Sequence, residues 1–126
     1  MMDFKNGQPI YLQIADYICE RILKKDWKEG SKLPSIRDTA VKLEVNPNTV
    51  IRTYNFLQNK GIIYNQRGIG YFVAEGGLQK TMTFKKEIFV MEELPRIFHT
   101  MDILRLDTKD IEKYYQQYKL YDTPTP

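Results

Sequence analysis

With 126 residues the chain has room for one domain, or one small domain with an appendage, and not for two full-sized cores. Its balance of 42% hydrophobic and 28% charged residues is that of a globular protein, no window approaches the roughly eighteen consecutive apolar residues of a bilayer span, and Met1-Met2-Asp3-Phe4-Lys5-Asn6-Gly7 lacks the pattern of a secretory signal, so a cytoplasmic protein is expected. The net charge of +3 is unevenly placed: eleven Lys and Arg face eight Asp and Glu over residues 1–77, against eight and eight over 78–126, as for a phosphate-facing module joined to a neutral, partner-facing one.

Ile10, Ile14, Tyr17, Ile18 and Ile22 recur at three- and four-residue spacing and predict an amphipathic first helix from about Pro9 to Lys25. Lys24 and Lys25 suit its last turn, and Gly30 ends the following loop. In Leu33-Pro34-Ser35-Ile36-Arg37-Asp38, Ser35 is placed to accept from the free amides of a new helix, and Asp38 lies three residues on. The stripe Ile36, Ala40 and Leu43 makes this a short helix finishing near Glu44. Asn46-Pro47 repeats the signal, a favoured cap followed by the residue favoured at the first helical position, and starts a third helix ending at Gly61. Val50, Tyr54 and Leu57 form its apolar side, while Asn48, Arg52, Asn55 and Asn59 collect on the other.

Two β-rich runs, Ile62-Ile63-Tyr64 and Tyr71-Phe72-Val73, flank the turn residues of a hairpin, and Glu75-Gly76-Gly77 reads as a linker. Beyond it Phe84, Ile88, Met91, Leu94, Phe98 and Met101 keep helical spacing, with Pro95 expected to kink or interrupt the helix near Leu94. A shorter helix from about Thr108 to Leu120 carries Ile111, Tyr114, Tyr115 and Tyr118, and a disordered tail is expected at 122–126. The expected fold class is mainly α with a small β part: a winged helix-turn-helix over residues 1–75, three helices plus a β-hairpin wing, followed by a two-helix dimerisation region over 76–121.

A lone Cys19 makes no internal disulfide, and a lone His99 without companions offers no zinc site; neither metal nor cofactor is expected. Nor are the parts of acid-base or nucleophilic catalysis in place, with no His or Cys beside a partner and no phosphate-cradling loop after a strand.

Two short helices joined by a tight turn, the second with an Asn and Arg face, then a hairpin with Arg67 at its tip, fit duplex DNA. The major groove admits one helix, and donors beside it meet phosphates. Asn48, Arg52 and Asn55 are then expected at base edges, and Ser35, Arg37 and Thr49 at phosphate oxygens. Arg67 is expected in the adjacent minor groove, where Gly68 permits close approach. Ser35 and Thr49 acting only as caps, Asn59 as a solvated residue, and Arg67-Gly68 as a plain turn remain the alternatives at each single position. A winged helix serving as a protein-binding module is the alternative for the whole.

The runs Leu33-Pro34-Ser35-Ile36-Arg37-Asp38-Thr39-Ala40, Asn46-Pro47-Asn48-Thr49-Val50, Gly61-Ile62-Ile63 and Arg67-Gly68-Ile69-Gly70-Tyr71-Phe72-Val73 closely resemble the GntR family of bacterial transcription regulators, over about Pro9 to Val73. The Asn-Pro-Asn-Thr-Val version with a C-terminal region of some fifty residues is similar to the YtrA-like subfamily. That resemblance implies a two-helix dimerisation region in place of a ligand-binding domain and, often, control of transporter operons. It implies DNA-proximal roles for Ser35, Arg37, Asn46, Asn48, Thr49, Arg52, Arg67 and Gly68. Where many members carry arginines, this chain has Pro47 and Ile51.

For the C-terminal helices two partners are open: the chain's own N-terminal part, or a second copy. Six large apolar side chains would be worth on the order of 9–18 kcal/mol gross if buried. A homodimer is the expectation, with Phe84, Ile88, Met91, Leu94, Phe98, Met101, Ile111, Tyr114, Tyr115 and Tyr118 at its interface. Its partner would be a pseudo-palindromic duplex.

Overall fold

The structure is a computed structural model that describes Met2, Phe4 and residues 7–121. The tail expected at 122–126 lies outside the described residues. The chain divides into two compact units, Met1–Lys85 and Lys86–Pro126.

In the first unit, α1 (Ile10–Leu23), α2 (Ile36–Leu43) and α3 (Pro47–Asn59) precede an antiparallel hairpin of β1 (Ile63–Gln66) and β2 (Gly70–Val73). The buried face of α1 is turned relative to the stripe its spacing suggests. Ile14, Ile18 and Ile22 are buried with Ala15 and Cys19, whereas Tyr17 is half-buried and Ile10 exposed. Lys24 caps the helix end, and Lys25 turns left-handed at φ 63° to leave it.

Ser35 caps α2 as expected, its Oγ accepting the Asp38 amide at 3.0 Å. Asn46 caps α3, its Oδ1 accepting the Asn48 amide at 2.8 Å with Pro47 in the first turn. Between these helices Glu44 takes a left-handed conformation at φ 55°, and the Val45 amide donates back to the Ala40 carbonyl, so the chain reverses within three residues. Val50, Tyr54 and Leu57 are fully buried among the side chains of α1, α2 and the hairpin.

The strands extend one or two residues closer to the turn than the β-rich runs indicate, pairing Ile63 with Val73 and Gln66 with Gly70. A third extended segment, which no strand pattern in the sequence marks, flanks β2 on its other side. The Val73 amide donates to the Ser31 carbonyl and the Leu33 amide to the Tyr71 carbonyl, with Lys32 bridging to Phe72. This pairing satisfies the edge of a strand that a bare two-stranded hairpin would leave open.

Glu75-Gly76-Gly77 is not a free linker. Gly76, at φ 77°, gives its amide to the Glu29 carboxylate at 2.6 Å, and Gly77 is buried as the first residue of α4 (Gly77–Ile88). A Cβ on Gly77 would lie 2.7 Å from the Ile62 carbonyl oxygen, so the glycine is there to let backbone meet backbone. The opening turns of α4 belong to the first unit: Thr81 is buried, Lys85 pairs with Asp16 at 2.9 Å, and the Phe84 ring meets Phe56 edge-on at 5.7 Å. Phe84, half-buried, thus packs against the chain's own core, on the side that meets Phe56. The compact units part inside α4, ten residues later than the boundary expected at 75/76.

Within the second unit, a π turn over Phe89–Glu93 leads into α5 (Leu94–Leu104). The Leu94 amide reaches back five residues to the Phe89 carbonyl. Pro95 has no amide to give and its ring would press on the preceding turn, and the wider π turn that accommodates both interrupts the α-helix just before Leu94. Arg105 ends α5 in a left-handed conformation, and α6 (Thr108–Tyr121) opens with a reciprocal cap. The Asp110 amide donates to Asp107 Oδ1 at 2.9 Å and the Asp107 amide to Asp110 Oδ2 at 3.0 Å. The Asp110 amide is the main reason the exposed Asp107 carboxyl sits below its usual value.

Candidate nucleic-acid interface

The polar face of α3 forms because a thirteen-residue helix with Val50, Tyr54 and Leu57 locked inward has one way to face, and Asn48, Arg52, Asn55 and Asn59 then lie exposed. The lock is specific. The Tyr54 phenol donates to the Pro34 carbonyl at 2.8 Å, which leaves its oxygen to accept from the Thr39 hydroxyl, also at 2.8 Å. One buried side chain thereby ties α3 to α2 and to the loop before it. Burial raises the Tyr54 phenol pKa, the Thr39 hydrogen bond opposing it. A second tie runs to α1, where the Thr53 hydroxyl lies 2.8 Å from the Tyr11 carbonyl.

Ser35 and Arg37 are exposed at the start of α2, and Asn46 is exposed at the start of α3. Ser35 and Asn46 are both caps, but a capping hydroxyl or amide accepts through its oxygen and keeps its own hydrogens to donate. Thr49 is half-buried, with no capping role, and its carbonyl lies 3.1 Å from the Thr53 hydroxyl, whose hydrogen goes to the closer Tyr11 carbonyl. Arg67 and Gly68 are exposed in the hairpin turn, where the Ile69 amide closes onto the Gln66 carbonyl and Gly68 takes φ 80°. A left-handed residue with nothing within 4 Å of its Cβ position leaves the turn backbone bare. Among the described residues Arg37, Arg52 and Arg67 carry no ion pair, so no described carboxylate neutralises their charge.

One residue of this surface went unnoticed in the sequence. Arg52 does not extend freely: its guanidinium carbon lies 3.9 Å from the centroid of the Tyr11 ring. Pro9, Ile10 and Tyr11 of the α1 start and Asn48, Thr49 and Arg52 of α3 line an open depression of about 370 Å³. Tyr11 is half-buried, on the flank of the α1 stripe, and only its being an aromatic at the start of a helix could have marked it.

Of the residues expected at an interface between copies, Met91, Phe98, Ile111, Tyr114, Tyr115 and Tyr118 are exposed, Ile88 and Leu94 are half-buried, and Met101 is buried. Phe89, Val90, Ile97, Ile103 and Leu104 are exposed beside them in sequence, as is the single imidazole, His99. Cys19 is fully buried among α1 neighbours, and that burial, opposed by Lys85, pushes its thiol up to about 12.

Residues 10–73, half of the chain, match the family of bacterial regulatory proteins called the gntR family. The chain is similar to the HTH-type transcriptional regulator YhcF of Bacillus subtilis, 49% identical over 57% of this chain and 60% of that protein. It is also similar to the HTH-type transcriptional repressor YtrA of the same organism, 36% identical over 76% of this chain and 73% of that one. A crystal structure of a GntR-family protein from Bacteroides thetaiotaomicron, 44% identical, superposes with a TM-score of 0.74 over 86% of this chain and 95% of its own. The matched region thus spans 60% of YhcF and about three quarters of YtrA. With the family match, the YtrA relationship and the winged-helix architecture in agreement, the chain belongs to the GntR family of bacterial regulatory proteins, on its YtrA-like branch, a family of transcription regulators and not of enzymes.

Proposed function

We propose that the chain binds operator DNA as a homodimer in the cytoplasm and represses the genes beside it. The observation that carries the reading is the division of α3: its apolar residues are wholly buried, while Asn48, Arg52 and Asn55 are open to solvent on the other side. Amides pair well with adenine and guanidinium with guanine in the major groove, and both groups are on this face. Ser35, Arg37 and Asn46 at the helix starts suit phosphate oxygens, as does Thr49. Arg67 beside Gly68 suits the narrower minor groove.

Two copies are favoured by the second unit, which among its described residues buries only Met101 of its large apolar side chains and leaves Met91, Phe98, Ile111 and the tyrosines exposed. Tyrosine suits such an interface, because its ring can be covered while its hydroxyl stays wet. A two-fold dimer would read half-sites about 34 Å apart, one duplex turn. Repression is the activity named for the YtrA relative, and transporter genes are the targets implied by likeness to that branch. Selection of bound sequences from random duplex DNA, with light scattering for mass, tests the reading. A palindromic consensus and a two-chain mass are expected, while no enrichment, an asymmetric consensus or a one-chain mass would overturn it.

A further inference from the structure

The geometry points to Tyr11 as a positioning residue for Arg52: its ring holds the guanidinium in one pose before DNA arrives, and that pose sets which base Arg52 accepts. The inference rests on the proposal that the α3 polar face meets DNA, and it adds a residue from α1 that makes no claim to touch a base itself.

An arginine on a helix surface samples many rotamers, and locking it at an interface costs conformational entropy. A guanidinium lying flat over an aromatic face is held by the ring quadrupole and by stacking, which a lysine ammonium reproduces poorly. The 3.9 Å separation is the shortest of the five cation–ring contacts described in this chain, the others running from 4.9 to 5.7 Å. Tyr11 is itself held in place from two sides. Its carbonyl accepts from the buried Thr53 hydroxyl, and its ring meets Phe56 edge-on at 6.0 Å. Both partners sit on α3, so ring and guanidinium keep a common frame. Asn48 and Thr49 share the depression with the pair, which brings the held guanidinium alongside two further groups able to hydrogen-bond DNA.

The test measures fluorescence anisotropy on the full chain at one fixed salt concentration, with the duplex recovered by selection and a version mutated at the guanine most sensitive to Arg52→Ala. Tyr11→Leu is expected to weaken binding to the selected duplex about three- to fivefold and to shrink the preference for it over the mutated one. Tyr11→Phe, which keeps the ring, should stay within about twofold of the parent chain. Tyr11→Leu combined with Arg52→Ala should bind no more weakly than Arg52→Ala alone. Additive losses, or an unchanged base preference in Tyr11→Leu, would overturn the inference while leaving the DNA-binding proposal standing. Failure of the parent chain to select any duplex would remove both.

A second measurement avoids variants and DNA altogether. In the free chain the Arg52 side-chain proton resonances should be shifted upfield by the Tyr11 ring current. Random-coil shifts at those protons would overturn the inference even if Tyr11→Leu proved too unstable to assay.

Discussion

The hydroxyls of Thr39 in α2 and Tyr54 in α3 meet at 2.8 Å inside the core, and Tyr54 passes its own hydrogen to the Pro34 carbonyl. The relay has a direction, since a carbonyl accepts only, and it fixes the angle at which α3 leaves the turn. Tyr54→Phe removes an acceptor and a donor at once and leaves the buried Thr39 hydroxyl and Pro34 carbonyl without partners. It should cost about 1–3 kcal/mol in urea unfolding, and Thr39→Val about 0.5–1.5 kcal/mol. The double variant should cost less than the two losses added together, because valine needs no partner. Full additivity would show the hydroxyls to be independent.

Gly77 should tolerate no side chain. Its Cβ would lie 2.7 Å from a backbone oxygen, so Gly77→Ala must displace either α4 or the start of the hairpin. A cost of about 1–3 kcal/mol is expected from chemical denaturation, in the range of overpacked cores. Gly76→Ala meets no atom within 4 Å and strains only its left-handed backbone, for about 1–2 kcal/mol. Equal tolerance at 77 and at an open surface position would contradict the close approach.

The helix starts at Ser35 and Asn46-Pro47 were legible in the sequence because capping is local chemistry: side chain and amide lie two or three residues apart. The burial of Val50, Tyr54 and Leu57 was legible for a similar reason, since period alone selects the face. Gly77 misled because a glycine needed for loop freedom and one needed for backbone contact look alike without the opposing Ile62 carbonyl. Ser31-Lys32-Leu33 carries no strand pattern, and its pairing exists only because β2 lies beside it. Tyr11 depends on Arg52, some forty residues away, and no periodicity links them. Pro95 announced a kink or an interruption, but that it takes the form of a π turn belongs to the backbone around it.

Cys19 supplies a pH dependence. Burial raises its folded value from near 9 to about 12, so the folded thiol holds its proton more tightly than the unfolded one. The stabilisation this represents is full below pH 9 and is lost as pH rises through the window from 9 to 12. The stability difference between the parent chain and Cys19→Ala should therefore shrink across that window by up to about 1.4 kcal/mol per pH unit. Comparing the two cancels the parallel alkaline effect of the buried Tyr54 phenol, which is shifted the same way. A difference flat from pH 9 to 11 would show the thiol to be solvated.

Glutamate at Met91 and Phe98 should leave the first unit folded, as both positions are exposed and lie outside it. Light scattering should then give the mass of one chain in place of two, because charges buried between copies cost far more than the exposed apolar groups they replace. A two-chain mass for the doubly substituted protein would move the interface elsewhere.

Salt separates phosphate contacts from base contacts. Affinity for the selected duplex should fall on the order of a thousandfold between 50 and 200 mM salt if about six phosphates are contacted. Any variant that removes a single phosphate contact should lower the logarithmic slope by about one. Arg37→Ala is expected to behave this way, while Asn55→Ala should weaken one sequence selectively and leave the slope unchanged.

Amide NMR shifts of the labelled full chain, followed while the selected duplex is added, locate the contact surface residue by residue. The changes should concentrate at 35–37, 46–55 and 67–68, with the buried faces of α1 and α2 little moved. Unperturbed amides throughout α3, with binding detected at other positions, would mean that its open polar side is not what meets DNA.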